Sequence, residues 1–539
     1  MAAFSTMLVT AFLSLNLAVV SAAVHQRTLE QDCHQLPAPT VPGAQVISIK
    51  SKARYNVTIN PLVATYYPAL ANITVDICDA TVTLTHPGVD DEVGVTVWLP
   101  LKGWNGRFQG AGGGGWMAGT FPDYGLFLPV AQGWAAGFTD GGNIAINGTV
   151  GPQALSGPGQ VDLGLLTDFA SRGLHEIAVV GKALVTSFYN QPAKFSYWNG
   201  CSTGGRQGYM LAQKYAADFD GILANAPALS WPSFVLTLNW AHFLMNAAKV
   251  YPSHCEFAAF QKASIEACDD LDGVHDGIIS DLDNCKFNPL KLVGKTIQCD
   301  GKPVNISIGA ALLVQRIREG PRSPGGQQLW EGYGFGIDYV GIAQTQSLDG
   351  KGIPGNQPYS LPDDWVKWFL KKDPNFDFTR IRTLQQLTDL YAVASTEYSG
   401  IIGTDNPDLS AFREAGGKML TFHGLADQLI MANNTIRYRK AVESTLGGKA
   451  QVDQFYRLFL GPGVAHCAGG YGPVPVDPMA SLVDWVENGK APDLLPASFR
   501  NKAGQVVTKN LCLWPLVARY KGKGDPNRAE SYTCATSYR

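Results

Sequence analysis

Gly200-Cys201-Ser202-Thr203-Gly204 spells G-x-S-x-G. A short apolar run, Phe195 to Trp198, precedes it and the helical stretch Gln207 to Tyr215 follows. Strand, sharp turn and helix in that order make a nucleophile elbow, in which a Ser hydroxyl is lifted above a sheet and small neighbours relieve the crowding. The chemistry is acyl transfer through an activated hydroxyl. A plain Gly-rich helix start is the competing reading, and the strand before the turn argues against it.

A Ser hydroxyl needs a base, and with an elbow the order is Ser, acid, His. Of nine histidines, His242, His254 and His275 fall in a stretch without regular periodicity. His423 lies in a strand ahead of the best acid. His466, in Gly461-Pro462-Gly463-Val464-Ala465-His466, follows every candidate acid. Asp427, just after the strand Lys418 to Gly424, is placed to orient the imidazole and stabilise its charged form. Asp405, Asp408 and Asp453 are alternatives on the wrong side of one strand or the other. Activity should fall in acid as His466 takes up a proton.

Cys201 directly precedes Ser202 and Cys467 directly follows His466. If they pair, nucleophile and base each lie one Cα step, about 3.8 Å, from a covalent clasp. Attack on an ester builds an oxyanion, for which the Thr203 N–H and the glycine run 112–115, Gly113 and Gly114 in particular, are the candidate donors. No Lys-Ser or Lys-Thr follows those glycines, so a phosphate cradle is rejected.

Between Cys268 and Cys285 the chain crowds aspartates together: Asp269-Asp270-Leu271-Asp272-Gly273-Val274-His275-Asp276-Gly277-Ile278. Such density is repulsive unless a hard cation neutralises it, and oxygen ligands suit Ca²⁺. The glycine position and the missing terminal Glu exclude an EF-hand, so the site would be structural. A solvated acidic loop is the bland alternative. The two cysteines are better used as a disulfide than with His275 as zinc ligands.

The elements that must carry these residues alternate. Strand patterns at 92–101, 133–138, 195–198, 221–225, 418–424 and 454–459 are interleaved with helical stretches at 162–189, 207–215, after Ala432 and through Leu482–Val486, which argues for an α/β domain with a mainly parallel sheet. The alternation fails between about Leu229 and Phe412. We therefore expect a catalytic domain from 23–228 and 413–539 with residues 229–412 inserted as a lid.

Residues 1–22, an apolar run Leu8 to Val20 ending in Ser21-Ala22-Ala23, read as a signal peptide too short to span a bilayer. Ten cysteines, even in number and all beyond that segment, predict five disulfides in a secreted, extracellular protein. Sequons at Asn56, Asn72, Asn147, Asn305 and Asn433 predict glycosylation. The formal net charge of −3, with no basic block, excludes nucleic acid and anionic membranes as partners.

Gly200-Cys201-Ser202-Thr203-Gly204-Gly205-Arg206, the His466-Cys467 pair, Asp427 in His-Gly-x-x-Asp, and Cys268-Asp269-x-x-Asp272-Gly273-x-x-Asp276-Gly277 together resemble the secreted tannase and feruloyl esterase family of fungi and bacteria. The resemblance covers nearly the whole mature chain. It implies an α/β-hydrolase fold with a large inserted lid, a Ser202, Asp427, His466 triad and a Cys201–Cys467 bridge. A lid Ca²⁺ would be held by Asp269, Asp272 and Asp276 through side chains and by Val274 and Ile278 through carbonyls. Cys33–Cys78, Cys268–Cys285 and Cys512–Cys534 are the implied pairs, leaving Cys255 and Cys299 for each other.

The implied reaction is two-step hydrolysis of an aromatic ester, with a small ester or a feruloylated saccharide as substrate and no redox cofactor. Hydroxycinnamate esters of plant cell-wall polysaccharides are favoured over gallate esters, because the C-terminal run from Leu511 to Cys534 and the lid look closer to the feruloyl branch. Lid aromatics Trp330, Tyr333, Phe335 and Tyr339 are candidates for a ring slot, with core packing as the competing role for each. A catalytically inactive hydrolase fold acting as a binding protein is the reading from another class. Such a protein should lack a triad member, and none is missing.

Overall fold

The computed structural model describes residues 29–59, 72–119, 125–343, 345–348, 351–353 and 360–538. The expected signal peptide lies outside them. Nine strands build the central sheet: β1 (Gln45–Thr58), β2 (Thr74–Thr85), β3 (Val93–Pro100), β4 (Arg107–Ala111), β5 (Ala135–Thr139), β6 (Phe195–Cys201), β7 (Gly221–Asn225), β8 (Lys418–Gly424) and β9 (Tyr456–Gly461), in the order β1-β2-β3-β5-β4-β6-β7-β8-β9.

From β5 to β9 every pairing is parallel. The β1-β2, β2-β3 and β3-β5 pairings are antiparallel, so one end of the sheet departs from the mainly parallel expectation. Alternation explains β3: Val93, Val95 and Val97 face Leu84, Val82 and Ala80 of β2 across the ladder, all six buried. In β7 all five residues are buried, as a strand covered on both faces requires.

Helix α1 (Gly173–Tyr189) lays Leu174, Ile177, Val180 and Leu184 on the sheet. It is entered through a π-helical turn, Asp168–Arg172, whose wider pitch leaves carbonyls without their usual intrahelical donors. Arg206 supplies donors instead. Its guanidinium, fully buried on α2 (Thr203–Lys214), donates to the carbonyls of Ala170 at 2.9 Å and Phe169 at 3.2 Å, and lies over the Phe169 and Trp231 rings. Burial pushes it down to about 9, so at neutral pH it clamps the elbow helix to its neighbour as a cation.

The chain leaves the sheet after Asn225 and returns at Lys418. Between them, weak periodicity conceals a largely helical unit with α3 (His254–Cys268), α4 (Ile308–Glu319) and α5 (Leu384–Ile402). Its core is aromatic: Trp231, Trp365, Phe369 and Tyr398 pack together and meet Trp116 of the catalytic side. Interdigitating rings need no helical period, which is why periodicity fades here. After β8 and the turn at 425–431, α6 (Ala432–Thr445) leads on to β9.

Candidate active site

Ser202 sits between β6 and α2 with φ 65° and ψ −122°, a conformation that side-chain-bearing residues rarely adopt. The turn is held from both sides. The Ser202 N–H donates to the Asn225 carbonyl at 3.1 Å, and the Ser202 carbonyl accepts from Arg206 at 3.0 Å and Ala228 at 3.2 Å. Two glycines permit the crowding: a Cβ on Gly200 would lie 2.4 Å from the Gly204 carbonyl carbon, and one on Gly112 2.6 Å from the Gly204 Cα.

Asp427 and His466 leave the sheet at the ends of β8 and β9. His466 Nδ1 lies 2.9 Å from Asp427 Oδ2 and 3.1 Å from Oδ1. The histidine loop is a tight hairpin in which Ala465 N–H donates to the Gly469 carbonyl at 2.8 Å, and the Ala426 N–H donates to the Val464 carbonyl at 3.0 Å, tying it to the acid's own turn. Asp427 is 3% exposed. Burial opposes its charge, but the His466 and His423 imidazoles and their hydrogen bonds hold the carboxyl well below the usual carboxylate range. With Nδ1–H committed to that carboxylate, Nε2 of His466 is left as a proton acceptor. Asp405, Asp408 and Asp453 have no such contact: Asp453 pairs with Arg439 and Lys449, and Asp408 caps Ser410.

The Cys201–Cys467 disulfide, with Cα atoms 5.9 Å apart, joins the residue before Ser202 to the residue after His466. It closes a separation of 266 residues, for which chain entropy gives a stabilisation of about 6 kcal/mol as an upper estimate. Cys33–Cys78, Cys255–Cys299, Cys268–Cys285 and Cys512–Cys534 are the other four bridges, and no cysteine is free. Four match the pairings that the resemblance implies, and Cys255–Cys299 is the pair left over by elimination.

The oxyanion glycines need correction. Gly113 N–H donates to Gln207 Oε1 at 2.9 Å and Gly114 N–H to the Met117 carbonyl at 3.1 Å, so neither is a free donor. Gly112 N–H is spent on Asn199. The loop is nevertheless fastened to the elbow, since Thr203 Oγ1 donates to the Gly115 carbonyl at 2.7 Å. Sequence counts glycines in a loop but does not show which of their N–H groups the loop consumes.

Among the aromatics expected to form a ring slot, Trp330, Tyr333 and Tyr339 belong to the large core. Tyr333 and Phe335 also border a polar cavity of about 290 Å³ that reaches Asp427 and is lined by Arg318, Glu331 and Asn433.

In the acidic loop, Asp269 Oδ1 accepts from the N–H groups of Asp276, Gly277 and Ile278, and Asp272 Oδ1 accepts from Val274 N–H. Asp272 Oδ2 is buried with no hydrogen-bond partner among the described residues, an oxygen left open for a ligand. The sequence does not reveal Lys509: its buried ammonium lies 3.7 Å from Asp272 Oδ2 and 3.5 Å from Asp276 Oδ2, offsetting part of the charge. A set of hard oxygens with one orphan fits Ca²⁺. His275 is 75% exposed by its side chain, consistent with no ligand role. His254 and Asp300 approach Cys255 and Cys299, whose sulfurs are spent on each other and offer no thiolate.

A mixed sheet, parallel from β5 to β9, with a serine elbow after β6, an acid after β8 and its histidine after β9 defines an α/β-hydrolase, and this one is a carboxylic ester hydrolase. The tannase and feruloyl esterase family profile matches residues 78–535, and the chain belongs to that family. It is 46% identical to a probable feruloyl esterase of Arthroderma benhamiae over 96% of each chain, and 33% identical to a probable feruloyl esterase B-2 of Neosartorya fischeri over 86% of this chain and 87% of the other. Among solved structures it is similar to tannin acyl hydrolase from Aspergillus niger (TM-score 0.83, 27% identity, 94% of each chain) and to feruloyl esterase B from Aspergillus oryzae (TM-score 0.78, 27% identity, 94% of this chain and all of that one).

Proposed function

We propose that the protein is a secreted serine esterase that releases hydroxycinnamate groups of the feruloyl type from esters of plant cell-wall polysaccharides. The reading is carried by the hydrogen-bonded Asp427–His466 pair, clasped to the Ser202 elbow through Cys201–Cys467. His466 takes the Ser202 proton as the hydroxyl attacks, then delivers it to the leaving alcohol; water repeats the cycle on the acyl-enzyme. The Thr203 N–H at the start of α2 serves the oxyanion, with the second donor drawn from residues 115–116, the N–H groups of that loop left after Gly112, Gly113 and Gly114 are committed. Ser202→Ala should abolish turnover of methyl ferulate while the melting temperature stays within a few degrees; retained turnover would remove Ser202 from its role.

The names of the sequence relatives support the feruloyl substrate. The likeness to a tannin acyl hydrolase structure supports gallate esters as the second reading. Comparing kcat/KM for methyl ferulate, methyl caffeate and methyl gallate on one preparation decides between them, and a gallate preference would overturn the first.

Ca²⁺ would be held by Asp269, Asp272 and Asp276 with the carbonyls of Val274 and Ile278, and would supply a charged cross-link within the lid loop. Ile278 meets the histidine loop, where a Cβ on Gly463 would lie 2.9 Å from its Cγ2. Chelation should therefore lower the melting temperature by several degrees, and an unchanged melt with metal analysis showing no bound Ca²⁺ would sink the site. Secretion is supported by the five disulfides, and glycosylation by the exposure of Asn56, Asn72, Asn147, Asn305 and Asn433.

A further inference from the structure

Asp427 has two imidazole neighbours, and the triad uses only one. His423, on β8 four residues before the acid, is fully buried, with Nε2 3.3 Å from Asp427 Oδ2 and 3.0 Å from the Ile430 carbonyl. Its Nδ1 lies 2.8 Å from Oγ1 of Thr435, a buried residue in the first turn of α6. A carbonyl only accepts, so Nε2 carries the proton. Nδ1 is then an acceptor, and the Thr435 hydroxyl donates to it. The Ile430 carbonyl thereby places the proton on Nε2, and the Thr435 hydroxyl anchors the other side of the ring.

The consequence falls on the carboxylate. Oδ1 of Asp427 accepts the N–H groups of Leu429 at 2.9 Å and Ile430 at 2.8 Å. His466 Nδ1 reaches both oxygens, 2.9 Å from Oδ2 and 3.1 Å from Oδ1, while His423 Nε2, whose N–H donates to the Ile430 carbonyl, lies 3.3 Å from Oδ2, so the carboxylate is held from both imidazoles and from the turn's own N–H groups. Ile430 takes part on both sides, donating to Oδ1 and accepting from His423.

We propose that His423 and Thr435 are a positioning pair for ester hydrolysis: a hydroxyl on α6 orders the imidazole on β8, which bonds the Ile430 carbonyl and stands against Asp427 Oδ2, holding the acid's turn toward His466. The proposal rests on the Ser202, Asp427, His466 reading above. Neither residue touches substrate. Both act through the acid's orientation, so their loss should appear in kcat and leave KM alone.

The test compares four variants of the full glycosylated enzyme on methyl ferulate. Thr435 also completes the Asn433 sequon, so Asn433→Gln, which removes the sequon and keeps the hydroxyl, is the control for a lost glycan. Thr435→Val should lower kcat about tenfold with KM within twofold, and Thr435→Ser should restore it. Asn433→Gln should match the parent. His423→Gln, which keeps an N–H donor near Nε2, should retain more activity than Thr435→Val. The low-field proton resonance of the His466–Asp427 hydrogen bond should broaden or shift in Thr435→Val and return in Thr435→Ser.

The proposal is overturned if Thr435→Val keeps its kcat, if Asn433→Gln loses as much, or if the loss only tracks the folded fraction seen by circular dichroism. Failure of the triad itself is separable: it appears as retained activity in Ser202→Ala, whereas inactive Ser202→Ala beside unaffected Thr435→Val removes this proposal alone.

Discussion

Asp427 and Asp168 are both buried carboxylates beside a histidine, yet their surroundings drive them in opposite directions. Asp427 meets backbone and imidazole donors and no second carboxylate, and it stays ionised despite burial. Asp168 shares its space with Asp91, Glu176, His86 and Arg172. His86 bonds Asp91 at 2.7 Å and Glu176 at 2.5 Å, and Arg172 bonds Asp168 at 2.5 Å and Asp91 at 3.0 Å. Burial pushes Asp168 up to about 7, and the Asp91 charge adds to that against the pull of Arg172. Glu176 is also raised by burial. Three acids share one imidazole and one guanidinium, and Asp168 Oδ2 and Glu176 Oε2 have no hydrogen-bond partner among the described residues. A buried charge is held by the donors aimed at it, and the crowded cluster has too few.

Three measurements break or sharpen that contrast. The largest effect belongs to Asp427→Asn: kcat should fall by roughly 10³–10⁴ with little change in melting temperature, and a stability loss with turnover intact would reverse the two roles. Next is Arg172→Met, which strips the countercharge from Asp168 and Asp91. Unfolding in denaturant should show a loss of about 1–3 kcal/mol, while kcat per folded molecule is unchanged. The third lies in pH dependence. Because the folded value of Asp168 lies above its unfolded one, its contribution is full below about pH 4 and is lost as pH rises toward 7. Asp168→Asn should flatten the stability curve between pH 4 and 7; a parallel curve would show that another group sets the slope.

The legible parts were those written in local order. The elbow, the β8 acid and the β9 histidine follow from strand-turn spacing, β3 from alternation, and β7 and β8 from runs of apolar residues. Strands β1 and β2 escaped the sequence reading because much of β1 is only half-covered and carries Lys50, Lys52 and Arg54 between its apolar positions. The positioning role of His423 was missed, although its spacing of four from Asp427 was visible as His-Gly-x-x-Asp. Spacing does not show which way a turn folds back. Lys509 reaches Asp272 across more than two hundred residues, and Arg206 answers carbonyls freed by a π-turn. Neither partnership has a sequence period.

The Cys201–Cys467 bridge also fixes what a protease can accomplish. The whole helical unit between β7 and β8, the last two parallel strands and the acid lie within the stretch it spans, so one cut anywhere between those cysteines yields two fragments still joined by sulfur beside Ser202 and His466. Such a nicked molecule would migrate as one band without thiol and as two with it, its serine and histidine halves never having parted.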